Sequence, residues 1–284
     1  MNHKKKNGKR EKTQLESIIY HIQQNTVQGQ KIQEEFFKET NEHIIHIDKT
    51  AGRNHHYDLV IYTNQQHTYK VEYKGSMKYS NINPRDSPWK TGVQFYNGDP
   101  KPFTICREYV KEWYNYLFNI FIIINNYNID YPIPTFDEYI KDAFRQGKNK
   151  LPFMIEFKRQ YQQRTNMYSM LEERKEFNKE FAIDRHDLNI LKEEIEPIYK
   201  KIMKDKEMWL QIHGDINQSI DVIDIKWTKG MVLEGDIPDI QTISITTQTP
   251  DITFHCNCGD TFGFNVHMRW GYGQGFSNLR IDFK

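Results

Sequence analysis

The sequence predicts a mixed α/β fold with a helical insertion and a β-rich C-terminal part. Three observations lead there. Leu15, Ile18, Ile19 and Ile22 recur at the spacing of one helix face. Two strand-like segments, "YDLVIYT" and "TYKVEYKGS", follow on either side of the turn "NQQH", which is the pattern of a β-hairpin. From residue 208 onward a charged helical texture gives way to short β-branched and aromatic runs separated by Gly, Asp and Asn.

Taken in order, residues 1–12, "MNHKKKNGKREK", are basic with no apolar stretch behind them. They read as a disordered tail, with loose phosphate contact or nuclear import as the livelier alternatives. Residues 13–134 form the expected core. It opens with the Leu15–Ile22 helix and a second helix, "QKIQEEFFKETNEH", that turns Ile32, Phe36 and Phe37 to the interior. "IIHID" is a short strand, "KTAGRNHH" a turn, and the hairpin comes next. Residues 76–102 read as loop, with Pro84, Pro88, Pro100 and Pro102, and helix returns over 106–124. "YPIPTFDEY" ends that helix and caps the next. Residues 135–207 read as a helical insertion in which charge alternates with Phe144, Phe153, Phe157, Leu171 and Phe177. Residues 208–284, ending in "NLRIDFK", complete the domain or read DNA.

Composition narrows the class only a little. The chain has 284 residues, enough for one large domain or two small ones, and Lys+Arg 39 against Asp+Glu 38 leaves a net charge of +1. That balance neither announces nor excludes a nucleic-acid partner, because local patches decide. A mean hydropathy of −0.82 argues for a soluble protein. The most apolar run, "YLFNIFIII", is too short for a bilayer, which needs about 20 such residues, so no membrane partner is expected. Three cysteines, Cys106, Cys256 and Cys258, are too few and odd in number for a disulfide framework and fit a reducing, intracellular compartment.

The chemistry concentrates in the hairpin. Glu72 and Lys74 stand two apart on a strand and so share a face. Asp58, on the preceding strand about 4.8 Å away, reaches toward Glu72 across the ladder. Two carboxylates held together repel, and a divalent cation relieves the repulsion. Magnesium takes oxygen ligands and keeps several waters, and a nearby lysine orients an attacking water or stabilises phosphate charge. The alternative is an ordinary exposed ion pair contributing ~0–1 kcal/mol.

"YDLVIYTNQQHTYKVEYKGS" resembles the PD-(D/E)xK motif of restriction-endonuclease-like nucleases. Asp58, Glu72 and Lys74 match it position by position, and Tyr57 stands where the proline is usual. The helix before the hairpin carries Glu35, Glu39 and Glu42, and the resemblance implies a further acid from such a helix, Glu35 or Glu39. "SPWKTGVQFYNG" and "MRWGYGQGFSNLRIDF" look like segments of restriction-type endonucleases of bacteria and large DNA viruses. The resemblance implies a restriction-endonuclease-like central sheet flanked by helices. It implies a magnesium-dependent endonuclease on double-stranded DNA, with Asp58 and Glu72 holding the metal and Lys74 polarising water. It further implies a type II, site-specific homodimer in the cytoplasm of a bacterial or virus-infected cell, with the nucleus as the other location. A repair or recombination nuclease of the same fold, and a non-catalytic DNA-binding protein, are the competing readings.

Other residues weigh less. Gln94 is a candidate to position water or touch DNA. Lys78, Arg85 and Lys90 are candidate phosphate contacts, Trp89 is a base-stacking candidate, and Arg269 and Trp270 are DNA-facing candidates at a hairpin end. "HCNCGD" supplies His255, Cys256 and Cys258, but C-x-C without a second pair, and with His213 and His267 out of pattern, falls short of a zinc site. "WGYGQGF" lacks the spacing of a phosphate-binding loop and reads as a turn.

Overall fold

The computed structural model describes residues 3–50, 57–76, 93–94, 103–144, 148–165, 170–181, 187–235, 237–247, 251–260, 262–270 and 279–283. The chain divides into two compact units, 1–88 with 198–237, and 89–197 with 238–284. These boundaries differ from the contiguous blocks expected from composition. The reason is strand pairing: the first strands of the C-terminal stretch belong to the sheet of the N-terminal hairpin.

Unit 1 begins with α1 (His3–Gln23) and α2 (Val27–Thr40). Of the stretch expected as a disordered tail, residues 3–12 lie in α1. From His3 onward the basic run is the first half of α1, and its Lys, Arg and Glu residues are good helix formers. Thr26 caps α2, its hydroxyl accepting from the Gly29 N–H at 3.2 Å, and Asn41 ends it in the left-handed conformation (φ 61°). The strands are β1 (Ile44–Lys49), β2 (Leu59–Thr63), β3 (Thr68–Ser76), β5 (Met208–His213) and β6 (Asp224–Lys229), in the sheet order β1-β2-β3-β5-β6. β1, β2 and β3 form an antiparallel meander; β5 pairs in parallel with β3, and β6 is antiparallel to β5.

The two helices cover one face of this sheet. Leu15, Ile18, Ile22, Ile32 and Phe36 pack with Leu59, Ile61, Val71, Tyr73, Leu210, Ile212, Ile225 and Trp227. Trp227 joins α2 to the sheet twice, through a 3.1 Å hydrogen bond from its Nε1 to the Ile32 carbonyl and a ring contact with Phe36 at 5.1 Å. Phe37, expected inside, instead stacks on His43 at the surface, one residue past the face that Ile32 and Phe36 define. With Val71 and Tyr73 committed to the core, alternation turns Glu72 and Lys74 to the opposite face.

Unit 2 contains the helices of the predicted insertion and a second sheet. α3 (Thr104–Tyr116) runs through a π turn, Leu117–Phe121, into α4 (Ile122–Ile124). Then come α5 (Phe136–Ala143), α6 (Pro152–Thr165), α7 (Leu171–Glu180) and α8 (Leu188–Lys204), the last divided between the units after Pro197. Thr135 and Glu138 close a capping box on α5. Phe144, Phe153, Phe157 and Phe177 are all buried, as the alternation of charge and aromatics predicts. Phe177 meets Trp113 and Tyr109 edge-on. The sheet is antiparallel, β4 (Val93–Gln94), β10 (Leu279–Phe283), β9 (Gly263–Trp270), β8 (Ile252–Asn257) and β7 (Thr242–Thr246), in that spatial order. Among the described residues no helix is long and apolar enough to cross a membrane.

One buried acid ties α2 to the hairpin. Glu42 is 4% exposed, and its Oε1 accepts from Tyr69 Oη at 2.8 Å and meets His67 Nδ1 at 2.7 Å. Burial alone would raise its pKa, but hydrogen bonds from Thr63, His67 and Tyr69 outweigh burial and hold the carboxyl below its ordinary value. A depressed folded pKa contributes stability above the unfolded value, and that stability is lost as pH falls through the folded one. Glu42→Gln is expected to cost about 2 kcal/mol at pH 7 in urea unfolding, with the difference from wild type shrinking below about pH 4. A deficit that is flat across that range would show that the charge of Glu42 does not matter.

Candidate active site

The site is built on the face of the unit 1 sheet opposite α1 and α2, where β2 begins beside the middle of β3. The first β2 residue, Leu59, pairs with Val71, so the register places Asp58 beside Glu72. Asp58 terminates the ladder. Its N–H donates to the Val71 carbonyl at 2.8 Å, and its Oδ2 accepts the next β3 donor, Tyr73 N–H, at 2.9 Å. A carboxylate that completes a backbone ladder is held in place by the strand it serves.

Glu72 is 6% exposed, which excludes the ordinary surface ion pair. Lys74 Nζ lies 2.7 Å from Glu72 Oε1. A second ammonium, that of Lys206, lies 3.4 Å from the same oxygen. The sequence reading missed Lys206. It sits in "MKDKEMW", where it looks like one more solvated charge after a helix, and it reaches Glu72 because β5 begins two residues later and pairs with β3. In that pairing Trp209 stands beside Glu72 and Gln211 beside Lys74. The Lys206 ammonium lies over the Trp209 ring, 4.9 Å from its centroid. Burial pulls the Lys206 pKa below its ordinary value; Glu72 opposes this, Lys74 adds to the lowering, and Asp58 opposes it more weakly. One lysine thus feels both acids and the other lysine. Its main chain is fixed as well: a Cβ on Gly230 would fall 2.0 Å from the Lys206 carbonyl oxygen, so the adjoining strand approaches that closely only with glycine.

The neighbouring ladder is finished in a similar way. Lys70 N–H, level with the start of β5, donates to Glu207 Oε2 at 2.7 Å, and Lys70 Nζ meets Asp205 Oδ1 at 3.2 Å. The face of β3 opposite the helices therefore carries Lys70, Glu72 and Lys74 in a row of alternating charge, with acids supplied from the residues just before both flanking strands.

Asp58 and Glu72 offer hard oxygen donors of the kind magnesium takes. Among the described residues no group of three His, Cys, Asp or Glu side chains is assembled, so the pair supplies two protein ligands at most, with water and phosphate oxygens left to complete a shell. The helix acids are not part of this group. Glu35 pairs with Lys38 at 2.6 Å, and Glu39 Oε1 accepts from Lys229 N–H at 3.3 Å on β6. Both ride on α2, which packs on the opposite face of the sheet.

The remaining candidates belong to unit 2 or fall outside the described residues, as Lys78, Arg85, Lys90 and Trp89 do, together with the "GYGQG" turn. Gln94 lies in β4, paired with Asp282 of β10, rather than in a loop. Arg269 is 39% exposed at its side chain, and its Nε donates to Oδ2 of Asp282, a carboxylate that is 2% exposed. Trp270 alternates inward and is buried, so it faces the core and not a ligand. Cys256 and Cys258 are both buried, and burial, with Cys258 adding, pushes the Cys256 thiol up to about 12, against the thiolate a zinc ion needs. His255 is taken by Thr246 and Asn265 across the strands.

Removing one partner of a buried ion pair leaves the other charge uncompensated. Glu72→Ala is therefore expected to destabilise the protein by about 3 kcal/mol in urea unfolding, several times the cost of removing an exposed partner such as Glu172. Equal, small losses for the two would show that the Glu72–Lys206 contact does not persist in solution. Comparison with protein-family models, with curated proteins and with solved structures gives no match to this chain.

Proposed function

We propose that unit 1 carries the catalytic centre of a magnesium-dependent endonuclease acting on double-stranded DNA, of the site-specific, restriction-type kind. The observation that supports this most is the 2.7 Å Glu72–Lys74 ion pair with Glu72 buried instead of solvated, beside Asp58, which sits one step beyond the Leu59–Val71 pair and bonds the Tyr73 N–H. The α–β–β–β order followed by a parallel strand agrees with the restriction-endonuclease-like resemblance of the motif.

Each residue has a role that its environment supports. Asp58 and Glu72 would hold the ion, which when bound supplies Lewis acidity and neutralises phosphate charge. Asp58 is rigid because the Tyr73 N–H fixes one of its oxygens. Lys74 is the reachable ammonium, 22% exposed, placed to orient the attacking water and to face the anionic scissile phosphate. Arg269, braced by a buried carboxylate and 39% exposed at its side chain, is suited to meet phosphate or a base edge. A homodimer would cut both strands of a palindromic site.

Asp58→Asn retains an oxygen for the Tyr73 N–H and removes only the charge, while Lys74→Ala removes the amine and leaves both acids. Both are expected to lower cleavage by about 10³-fold or more and to preserve DNA binding in a gel shift, since basic contacts supply most of the affinity. Calcium should support wild-type binding without cutting, and EDTA should stop cleavage. Undiminished cutting by either variant would rule this site out. Discrete bands on unmethylated DNA identify a site-specific enzyme, a smear a nonspecific one, and shifted but intact DNA a binding protein.

A further inference from the structure

The roles above leave Lys206 unused. Its side chain is 2% exposed against 22% for Lys74, so it is sealed from DNA and from bulk water. Yet both ammonium groups close on one oxygen, Glu72 Oε1. Ordering a lysine chain this completely costs side-chain entropy, and desolvating its charge costs more. Both costs are met at a position fixed from several directions: by Trp209 beneath the ammonium, by the Lys206 N–H donating to the Met203 carbonyl at 3.2 Å, and by the close approach of Gly230. The resulting group of four, Asp58 and Glu72 with Lys74 and Lys206, sums to zero charge.

We propose that Lys206 is a positioning residue and built-in counter-cation, which holds the acidic pair together before a divalent ion arrives and limits how tightly that ion is then held. The inference rests on the reading of Asp58 and Glu72 as ion ligands. Ammonium and ion favour the same carboxylates, so each weakens the other by the same factor. The site therefore assembles without metal, takes a single ion, and releases it readily.

Calcium is the probe, titrated by calorimetry into the full-length wild type, Lys206→Met and Glu72→Gln, with thermal melting of each in EDTA and in saturating calcium. Lys206→Met keeps most of the volume and removes the charge. It is expected to melt below wild type in EDTA, to regain most of that loss in calcium, and to bind calcium about tenfold more tightly. A variant that is unfolded in EDTA and folds on adding calcium supports the proposal equally. Equal destabilisation in both buffers, failure to fold in either, or calcium affinity no tighter than wild type would overturn it in favour of a purely structural lysine. If calcium affinity is the same in Glu72→Gln as in wild type, the assignment of Glu72 as an ion ligand fails instead.

Discussion

The parallel seam between β3 and β5 is the contact on which unit 1 depends. Antiparallel neighbours can be joined by a two-residue turn, but a parallel pair needs a long crossover. Here the crossover spans everything between Ser76 and Met208, including the whole first segment of unit 2. The seam sets Leu210 and Ile212 beside Tyr73 and the rest of the apolar layer, where α1 and α2 cover them. On its other side it sets Trp209 and Gln211 beside Glu72 and Lys74 and brings Lys206 over the acid. A slip of one residue would turn Gln211 and His213 of β5, or Glu72 and Lys74 of β3, into the core. The apolar face therefore fixes the register, and the register fixes the charged site.

Asp58 shows how such a site is made rigid without extra residues. It is the point at which β2 stops pairing through its backbone and continues through a side chain. Glu207 does the same for Lys70 on the other flank of β3. The buried carboxylate of Glu72 is tolerated there because its Oε1 meets two ammonium groups. Under the proposed function the same acids have a second task, and the ladder bonds supply the positional precision it requires.

Much of this was legible in the sequence because it is local. The hairpin is written in β-branched and aromatic alternation around "NQQH", and Asp58, Glu72 and Lys74 lie within seventeen consecutive residues of it. β1, β10 and the helices of residues 136–204 follow from equally short patterns. Illegible features depended on distant partners. Lys206 is indistinguishable by composition from Lys201 or Lys204, and only the parallel pairing separates it from them. Gln94 looked like loop because the strand that makes it a strand lies at the far end of the chain. Glu35 and Glu39 share the helix of Ile32 and Phe36, and nothing in that helix reveals which face of the sheet it covers. The basic run at the N-terminus was ambiguous for a different reason: Lys and Arg serve a solvated tail and a helix such as α1 equally well.

The interleaving of the two units has a consequence for how the chain is made. Synthesis delivers α1, α2 and the β1–β3 meander first, with Glu72 on a sheet face that has neither Trp209 nor Lys206 beside it. The helices of unit 2 emerge before β5 and β6, and β7 to β10 come last. Neither unit can close on its own schedule: unit 1 waits for residues 198–237, and unit 2 waits for 238–284. Such long-range closure is slow relative to local structure. Until β5 leaves the ribosome, the nascent meander carries a free strand edge and a Glu72 paired with Lys74 alone. Chaperone demand during translation should therefore peak while the middle third of the chain is being made, and a ribosome stalled anywhere before β5 would release a fragment with no finished core.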